Sequence, residues 1–174
     1  MKLRNINLAC TALLVGAPLL LASSGHADRV VNRNSWRGLT PLHSTTEDVA
    51  HAVGVDAGSF NLDADNPFKV DGGDVVVSFI SVKTAKIYGA PRSMVGKVFT
   101  IYFKPEAPLL LGDLKLPRSF RRCSDQLSKA FYYLVSDEGL AYRFRAGDKQ
   151  VESVIYQPTR AEVRRLAVST DCVF

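Results

Sequence analysis

Three short segments near the C-terminal end favour β-structure and place the strongest limit on the fold of this chain. Residues 131–135, 140–145 and 151–157 are rich in aromatic and β-branched side chains, which are enriched in strands. The breaks between them, residues 136–139 and 146–149, contain Gly and Asp, which are typical of tight turns. Strands joined by such short connections pair antiparallel, because a parallel pair needs a crossover of about a dozen residues or more. The segments therefore predict an antiparallel meander of three strands.

The middle segment of this meander alternates between apolar and basic residues. Successive side chains of a strand point to opposite faces of the sheet, so Leu140, Tyr142 and Phe144 should share one buried face. Arg143 and Arg145 should then lie on the opposite face. The register of this strand therefore decides which surface is available to a partner.

An aromatic side chain exposed beside these arginines would suit a surface that binds a partner. The adjacent aromatic residues at 131–133 must alternate between the two faces, so at least one of them should lie outside the core. We take Tyr132, together with Arg143 and Arg145, as the predicted binding face. The partner that we expect there is a protein or another component of the cell envelope.

Two further segments, residues 75–80 and 98–103, are dominated by β-branched and aromatic residues and predict two more strands. We therefore predict an α+β fold, in which an antiparallel sheet of about five strands carries two or three short helices packed on one face. The single tryptophan, Trp36, marks the expected start of ordered structure. The remaining length fits one domain, over residues 36–174.

Three segments predict the short helices. Residues 44–54 open with the capping pattern Thr-x-x-Asp and close at Gly54, which can end a helix in the left-handed conformation. Residues 117–129 place apolar side chains at helical spacing. A last helix should follow Thr159, whose hydroxyl would form a capping box with Glu162.

The N-terminal residues have the pattern of a signal peptide. Lys2 and Arg4 precede an apolar run of about 15 residues, and small residues follow the run. The run is shorter than the roughly 20 residues of a membrane-spanning helix, and no second run in the chain reaches that length. We predict a signal peptide over residues 1–27 and a flexible leader over residues 28–35. The mature chain should be periplasmic or extracellular and have no transmembrane segment.

The cysteines agree with export. Cys10 falls in the predicted signal peptide, which leaves Cys123 and Cys172 in the mature chain. An even pair of cysteines in an exported chain most simply forms a disulfide. The alternative is a free thiol, which the neighbouring Arg121 and Arg122 could make more nucleophilic.

The chain offers few groups for catalysis or metal binding. His43 and His51 are eight residues apart, which matches no zinc-binding motif. The Asp-rich segment 56–74 lacks the closing Glu and the regular spacing of a calcium loop. No motif for a catalytic serine or for phosphate binding occurs. We therefore predict no catalytic residue, no metal ligand and no cofactor.

The charge of the chain excludes one class of partner. Loss of the predicted signal peptide removes Lys2 and Arg4 and lowers the net charge from +5 to +3. The remaining basic residues are scattered, whereas nucleic-acid binding usually needs them clustered, so we expect no nucleic acid as a partner. We favour an exported, non-catalytic binding or envelope-associated protein. The alternative is a small secreted enzyme, either a hydrolase or a thiol-dependent catalyst.

The segment Trp36-Arg-Gly-Leu-Thr-Pro-Leu, followed by Ser-Thr-x-x-Asp48-Val49, resembles a group of exported bacterial proteins. A central strand like residues 98–105 and a tail like residues 133–159 extend the resemblance. The resemblance implies export and an α+β domain but no activity. More remotely, a helix stopped by Gly and followed by antiparallel strands is similar to the SmpA/OmlA lipoproteins and to the β-lactamase inhibitory proteins, which implies a binding fold.

Overall fold

The computed structural model describes residues 34–124 and 129–166. Those residues form seven strands: β1 (Asn66–Val70), β2 (Gly73–Phe79), β3 (Val98–Pro105), β4 (Arg121–Ser124), β5 (Phe131–Val135), β6 (Leu140–Arg145) and β7 (Val151–Tyr156). They also form three α-helices: α1 (Thr46–Val53), α2 (Val82–Ile87) and α3 (Arg160–Val163). Single turns of 3-10 helix lie at Ala57–Ser59, Arg92–Met94 and Leu111–Asp113. Within the described ranges, every helix is too short or too polar to cross a membrane.

All seven strands join one sheet in the order β1-β2-β3-β7-β6-β5-β4. Each neighbouring pair is antiparallel. The pairing of β3 with β7 joins the two halves of the chain at the centre of the sheet. The α+β class with an antiparallel sheet and short helices is confirmed. The expected number of about five strands is wrong, because β1 and β4 extend the sheet at its two edges.

The strand β1 lies in a segment whose Asp, Asn and Gly residues indicate a loop. Only two residues, Asp71 and Gly72, separate β1 from β2, so Val70 pairs with Gly73 in a tight hairpin. Pro67 has no N–H to donate, which an edge strand tolerates because one of its sides has no neighbouring strand. Pairing with β2 therefore overrides the weak β-propensity of this segment.

The helix predicted over residues 117–129 is wrong over residues 117–124, where a turn is followed by the strand β4. The apolar residues at helical spacing serve the two faces of the sheet instead of one side of a helix. Phe120 packs against Tyr142, while Cys123 packs with Ala141 and Ile155 on the opposite face. Residues 125–128 of the predicted helix lie outside the described residues.

The meander predicted near the C-terminus is confirmed as β5, β6 and β7. The turn between β5 and β6 contains Gly139, which has a φ of 82°. A side chain on Gly139 would also clash with the carbonyl oxygen of Gln157. Both observations explain why this turn needs a glycine.

The register predicted for β6 is confirmed. Leu140, Tyr142 and Phe144 are fully buried on one face of the sheet, which we call the apolar face. Arg143 and Arg145 lie on the opposite face, which we call the arginine face. The cross-strand pairs Tyr142 with Val154 and Leu140 with Tyr156 continue the apolar face into β7.

Two different structures cover the apolar face. Over β2 and β3, Val49 of α1 packs together with Trp36 against Val77 and its neighbours. Over β5, β6 and β7, the cover is a leucine-rich segment, residues 109–120, of which Leu114 is buried. A helix therefore covers one half of this face and an irregular segment covers the other.

The capping boxes predicted for the first and last helices are confirmed. Thr45 and Asp48 bond reciprocally at the start of α1, and Gly54 ends that helix in the left-handed conformation. Thr159 and Glu162 form the same pair of hydrogen bonds at the start of α3. Capping of this kind depends on residues three positions apart, so the sequence shows it directly.

Candidate functional site

A cleft of about 440 Å³ crosses the arginine face at the centre of the sheet. Four strands and the loop before β1 contribute its lining residues. They are Asp65, Val76, Tyr102, Lys104, Arg143, Glu152 and Ser153. Two of these side chains are acidic and two are basic, so the cleft carries both signs of charge.

The pairing of the central strands places these side chains on one face. Tyr102 of β3 lies opposite Val76 of β2, and Arg143 of β6 lies opposite Ser153 of β7. The register shifts between Arg143 and Phe144 of β6. Phe144 pairs with Val151, which leaves Glu152 as an extra residue in β7. Such a bulge changes the direction of a side chain. Here Glu152 reaches the arginine face.

Arg143 is held from two sides. Its guanidinium lies over the ring of Phe131, with 3.8 Å between the guanidinium carbon and the ring centroid. Its Nε is 3.2 Å from Oε2 of Glu152, and the two side chains are 31% and 29% exposed. Arg145 approaches the other carboxylate oxygen of Glu152 at 3.7 Å. Stacking on Phe131 and the ion pair with Glu152 fix the position of Arg143 at the wall of the cleft.

Several polar atoms at the cleft keep unused hydrogen-bonding capacity. Nε of Arg143 and Oε2 of Glu152 are close enough for an ion pair, but the N–H does not point at the oxygen, and both buried atoms lack a hydrogen bond to any described residue. Oγ of Ser153 is also buried and has no hydrogen-bond partner among the described residues. Buried polar atoms are nearly always hydrogen-bonded, so these three atoms are available to bond water or a polar molecule in the cleft.

Tyr102 remains protonated in this setting. Burial raises the pKa of its hydroxyl, and the negative charge of Asp65 raises the pKa further. The hydroxyl can therefore donate or accept a hydrogen bond at neutral pH. Asp65 itself accepts a hydrogen bond from the hydroxyl of Ser78, which fixes one of its oxygens.

The structure does not bring Tyr132 together with Arg143 and Arg145. Tyr132 pairs with Phe144 across the strands, so it lies on the apolar face. Its ring stacks on Phe144 at 4.8 Å, and its hydroxyl donates to the carbonyl oxygen of Asp148. The register of the β5–β6 hairpin therefore assigns Tyr132 to the core.

The aromatic residues beside the arginines are the two neighbours of Tyr132. Tyr133 pairs with Arg143, and Phe131 pairs with Arg145. Alternation along β5 predicts that Phe131 and Tyr133 share one face of the sheet. The length of the turn between β5 and β6 decides which face that is. That turn length was the signal that could have found them.

Cys123 lies on the arginine face at one side of the cleft. It is 7% exposed and packs with Val135, Ala141 and Ile155. Cys172 lies outside the described residues, so the disulfide between Cys123 and Cys172 stays a prediction.

His43 and His51 lie apart from the cleft lining. His51 is exposed on α1, while Nε2 of His43 is 2.9 Å from Oε1 of Glu162. Burial alone would raise the pKa of Glu162, but hydrogen bonds from Thr159 and His43 outweigh burial and lower this pKa. Within residues 34–124 and 129–166, no three His, Cys, Asp or Glu side chains are arranged to hold a metal ion.

Comparison of the chain with models of protein families, with curated proteins and with solved structures finds no match. The resemblance to exported bacterial proteins therefore stays a prediction.

Proposed function

We propose that the chain is an exported, non-catalytic binding protein and that the cleft on the arginine face is its binding site. The observation that carries this proposal is a set of buried atoms at the cleft that have no hydrogen-bond partner within residues 34–124 and 129–166: Arg143 Nε, Glu152 Oε2 and Ser153 Oγ. A polar ligand in the cleft would supply the missing partners.

The charges at the cleft favour a zwitterionic ligand. Lys104 and Arg143 would attract a carboxylate, while Asp65 and Glu152 would attract an ammonium group. A ligand that carries only one sign of charge would be repelled by the two side chains of the same sign. The volume of about 440 Å³ lies within the range of small-molecule sites. A short peptide with free termini meets all of these conditions.

Export is the second part of the proposal. It is supported by the signal-peptide pattern of residues 1–27 and by the pair Cys123 and Cys172, which an oxidising compartment would join. The resemblance to exported bacterial proteins agrees with both features. The location that we propose is the periplasm or the outside of the cell.

The alternative function, a small secreted hydrolase or thiol-dependent enzyme, gains no specific support from the described residues. Cys123 would be its nucleophile, but Cys123 is buried among apolar side chains and does not line the cleft. A nucleophile has to reach its substrate. We therefore keep the binding function as the proposal.

Calorimetric titration with three probes tests this proposal. Trialanine carries both charges, succinate is a dianion and putrescine is a dication. We expect trialanine to bind, and we expect Arg143→Ala to weaken this binding by about 10-fold to 100-fold, which corresponds to a charged hydrogen bond. Arg122→Ala is the matched control, because Arg122 lies over Tyr132 on the other face.

Two results would contradict the proposal. One is the absence of binding for all three probes at millimolar concentration. The other is an equal loss of trialanine binding in Arg122→Ala and Arg143→Ala. Binding of succinate in place of trialanine, with the same dependence on Arg143, would keep the site and change the class of ligand. Binding of putrescine in place of trialanine should instead become tighter in Arg143→Ala, because that substitution removes a positive charge.

A further inference from the structure

The connection between β2 and β3, residues 80–97, contains a concentration of basic residues. Residues 75–105 contain five Lys or Arg and no Asp or Glu, whereas residues 47–74 contain seven Asp or Glu and one Lys. Four of the five basic residues fall in the connection itself: Lys83, Lys86, Arg92 and Lys97. This connection therefore holds four positive charges and no negative charge, in a chain whose net charge is only +5.

The same connection exposes aliphatic side chains. Val82 is 71% exposed and Ile87 is 64% exposed, the two highest values among the large exposed hydrophobic residues of the described ranges. At 100° per residue, these two positions and the two lysines of α2 fall on one side of the helix. Val82 and Ile87 thus flank Lys83 and Lys86 on a single surface, which we call the α2 patch.

The α2 patch is held in place from beneath. Ala85, on the other side of α2, is buried with Ile80, Phe99 and Leu166. The N–H of Ile80 donates to the carbonyl oxygen of Lys97 at 2.8 Å and joins the two ends of the connection. The exposure of Val82 and Ile87 is therefore a property of an anchored helix.

We propose that the α2 patch docks the protein on an anionic lipid surface. Val82 and Ile87 enter the boundary between headgroups and acyl chains, while Lys83, Lys86 and Arg92 contact lipid phosphates. The side chains of this interaction are distinct from those of the cleft, so it does not depend on the ligand-binding proposal.

The charges around the patch agree with this arrangement. Lys97 is engaged elsewhere, because its Nζ donates to the carbonyl oxygen of His43 at 3.0 Å and Glu47 lies near it. The other three basic side chains of the connection are exposed. The acidic residues nearest in sequence, Asp74 and Glu106, lie beyond its two ends.

A lipid surface fits the patch better than a protein. A stable protein interface buries about 800 Å² on each partner around a central apolar cluster. Two aliphatic residues on a six-residue helix provide a much smaller anchor. A few aliphatic residues surrounded by cations are sufficient for reversible binding to a membrane, where each cation near an anionic surface strengthens binding roughly fivefold.

Sedimentation with lipid vesicles tests the proposal. We expect the wild-type chain to sediment with vesicles of mixed phosphatidylglycerol and phosphatidylcholine, and much less with phosphatidylcholine alone. Raising the NaCl concentration should weaken the binding. All variants share residues 1–33, so any binding that this segment contributes is the same in each and cancels in the comparison between variants.

Two double variants separate the two parts of the patch. Lys83→Glu with Lys86→Glu should weaken binding at least about 20-fold, from the loss of two cations near the surface. Val82→Ser with Ile87→Ser should weaken binding roughly tenfold without a change in net charge. Both pairs of side chains are exposed, so the fold should persist, which circular dichroism can verify.

The control is Lys115→Glu with Lys149→Glu, which changes net charge equally at exposed positions elsewhere. It should retain most of the binding. The proposal is overturned if the wild type does not bind anionic vesicles, if the control loses as much binding as the Lys83 and Lys86 variant, or if the serine variant binds as tightly as the wild type.

Discussion

The two faces of the central sheet are built from the same strands but have opposite organisation. On the apolar face, α1 and the segment 109–120 cover a continuous layer of large side chains. On the arginine face, small apolar side chains form one buried cluster, and an open cleft with both signs of charge lies beside it. The first face carries most of the packing, and the second combines packing with polar groups that a ligand can use.

Neighbouring residues of β6 show the difference most directly. Tyr142 is fully buried on the apolar face, whereas the side chain of Arg143 keeps 31% of its surface exposed on the other. Strand geometry forces this alternation, so a single strand can stabilise the core and line a site. Substitutions at such neighbouring positions should therefore affect different properties.

The largest effect should come from Cys123 and its predicted disulfide partner, Cys172. We expect Cys123→Ala with Cys172→Ala to lower the free energy of unfolding by about 4 kcal/mol, because the predicted bridge closes a loop of about 49 residues. Urea denaturation without reductant measures this. Cys10→Ala, within the predicted signal peptide, should leave the free energy of unfolding unchanged. Alkylation of Cys123 and Cys172 in the unfolded protein without reductant would contradict the bridge.

The next effect should come from the apolar face. Tyr142→Ala should lower the free energy of unfolding by about 2–4 kcal/mol, because it removes a buried ring and leaves a cavity. The substitution should leave trialanine binding intact wherever the protein remains folded. Thermal denaturation and titration of the same sample measure the two effects. A cost below about 1 kcal/mol would mean that the apolar face packs less tightly than its burial indicates.

The parts of the fold that the sequence predicted correctly depend on local chemistry. The strands β5, β6 and β7 combine alternation with short turns, and the capping boxes of Thr45 and Thr159 involve residues three positions apart. The edge strands β1 and β4 have weak propensity and exist because a neighbouring strand pairs with them. Pairing between distant segments is a property that composition does not show.

The candidate site was predictable only in part, for the same reason. Arg143 and Arg145 follow from alternation, and both lie on the expected face. The predicted position of Tyr132 is wrong, because the turn between β5 and β6 sets a register in which Tyr132 lies opposite Phe144. Glu152 reaches the cleft through an irregularity in β7, and Tyr102 belongs to a strand far away in the sequence. Neither of these two residues carries a local signal.

A smaller effect should separate the two arginines. Arg143→Ala should lower the free energy of unfolding by about 1–2 kcal/mol, because it removes the stacking on Phe131 and leaves Glu152 partly buried with a weaker partner. Arg145→Ala should cost about 0.5 kcal/mol or less, since that side chain is 70% exposed. Denaturation of both variants at the same pH measures the difference. Equal costs would show that the contacts of Arg143 do not stabilise the fold.

The smallest effects concern one buried hydroxyl on each face. Oη of Tyr142 and Oγ of Ser153 both lack a hydrogen-bond partner among the described residues. Tyr142→Phe should leave the free energy of unfolding unchanged or raise it by up to about 1 kcal/mol, because it removes a polar group that the apolar face does not satisfy. Ser153→Ala should change it by no more than about 0.5 kcal/mol, because water or a ligand in the cleft can satisfy this hydroxyl. Only Ser153→Ala should weaken trialanine binding. Both substitutions could instead raise the free energy of unfolding equally and leave trialanine binding unchanged. That result would show that Ser153 is as inaccessible to water as Tyr142, and it would contradict a polar binding cleft on the arginine face.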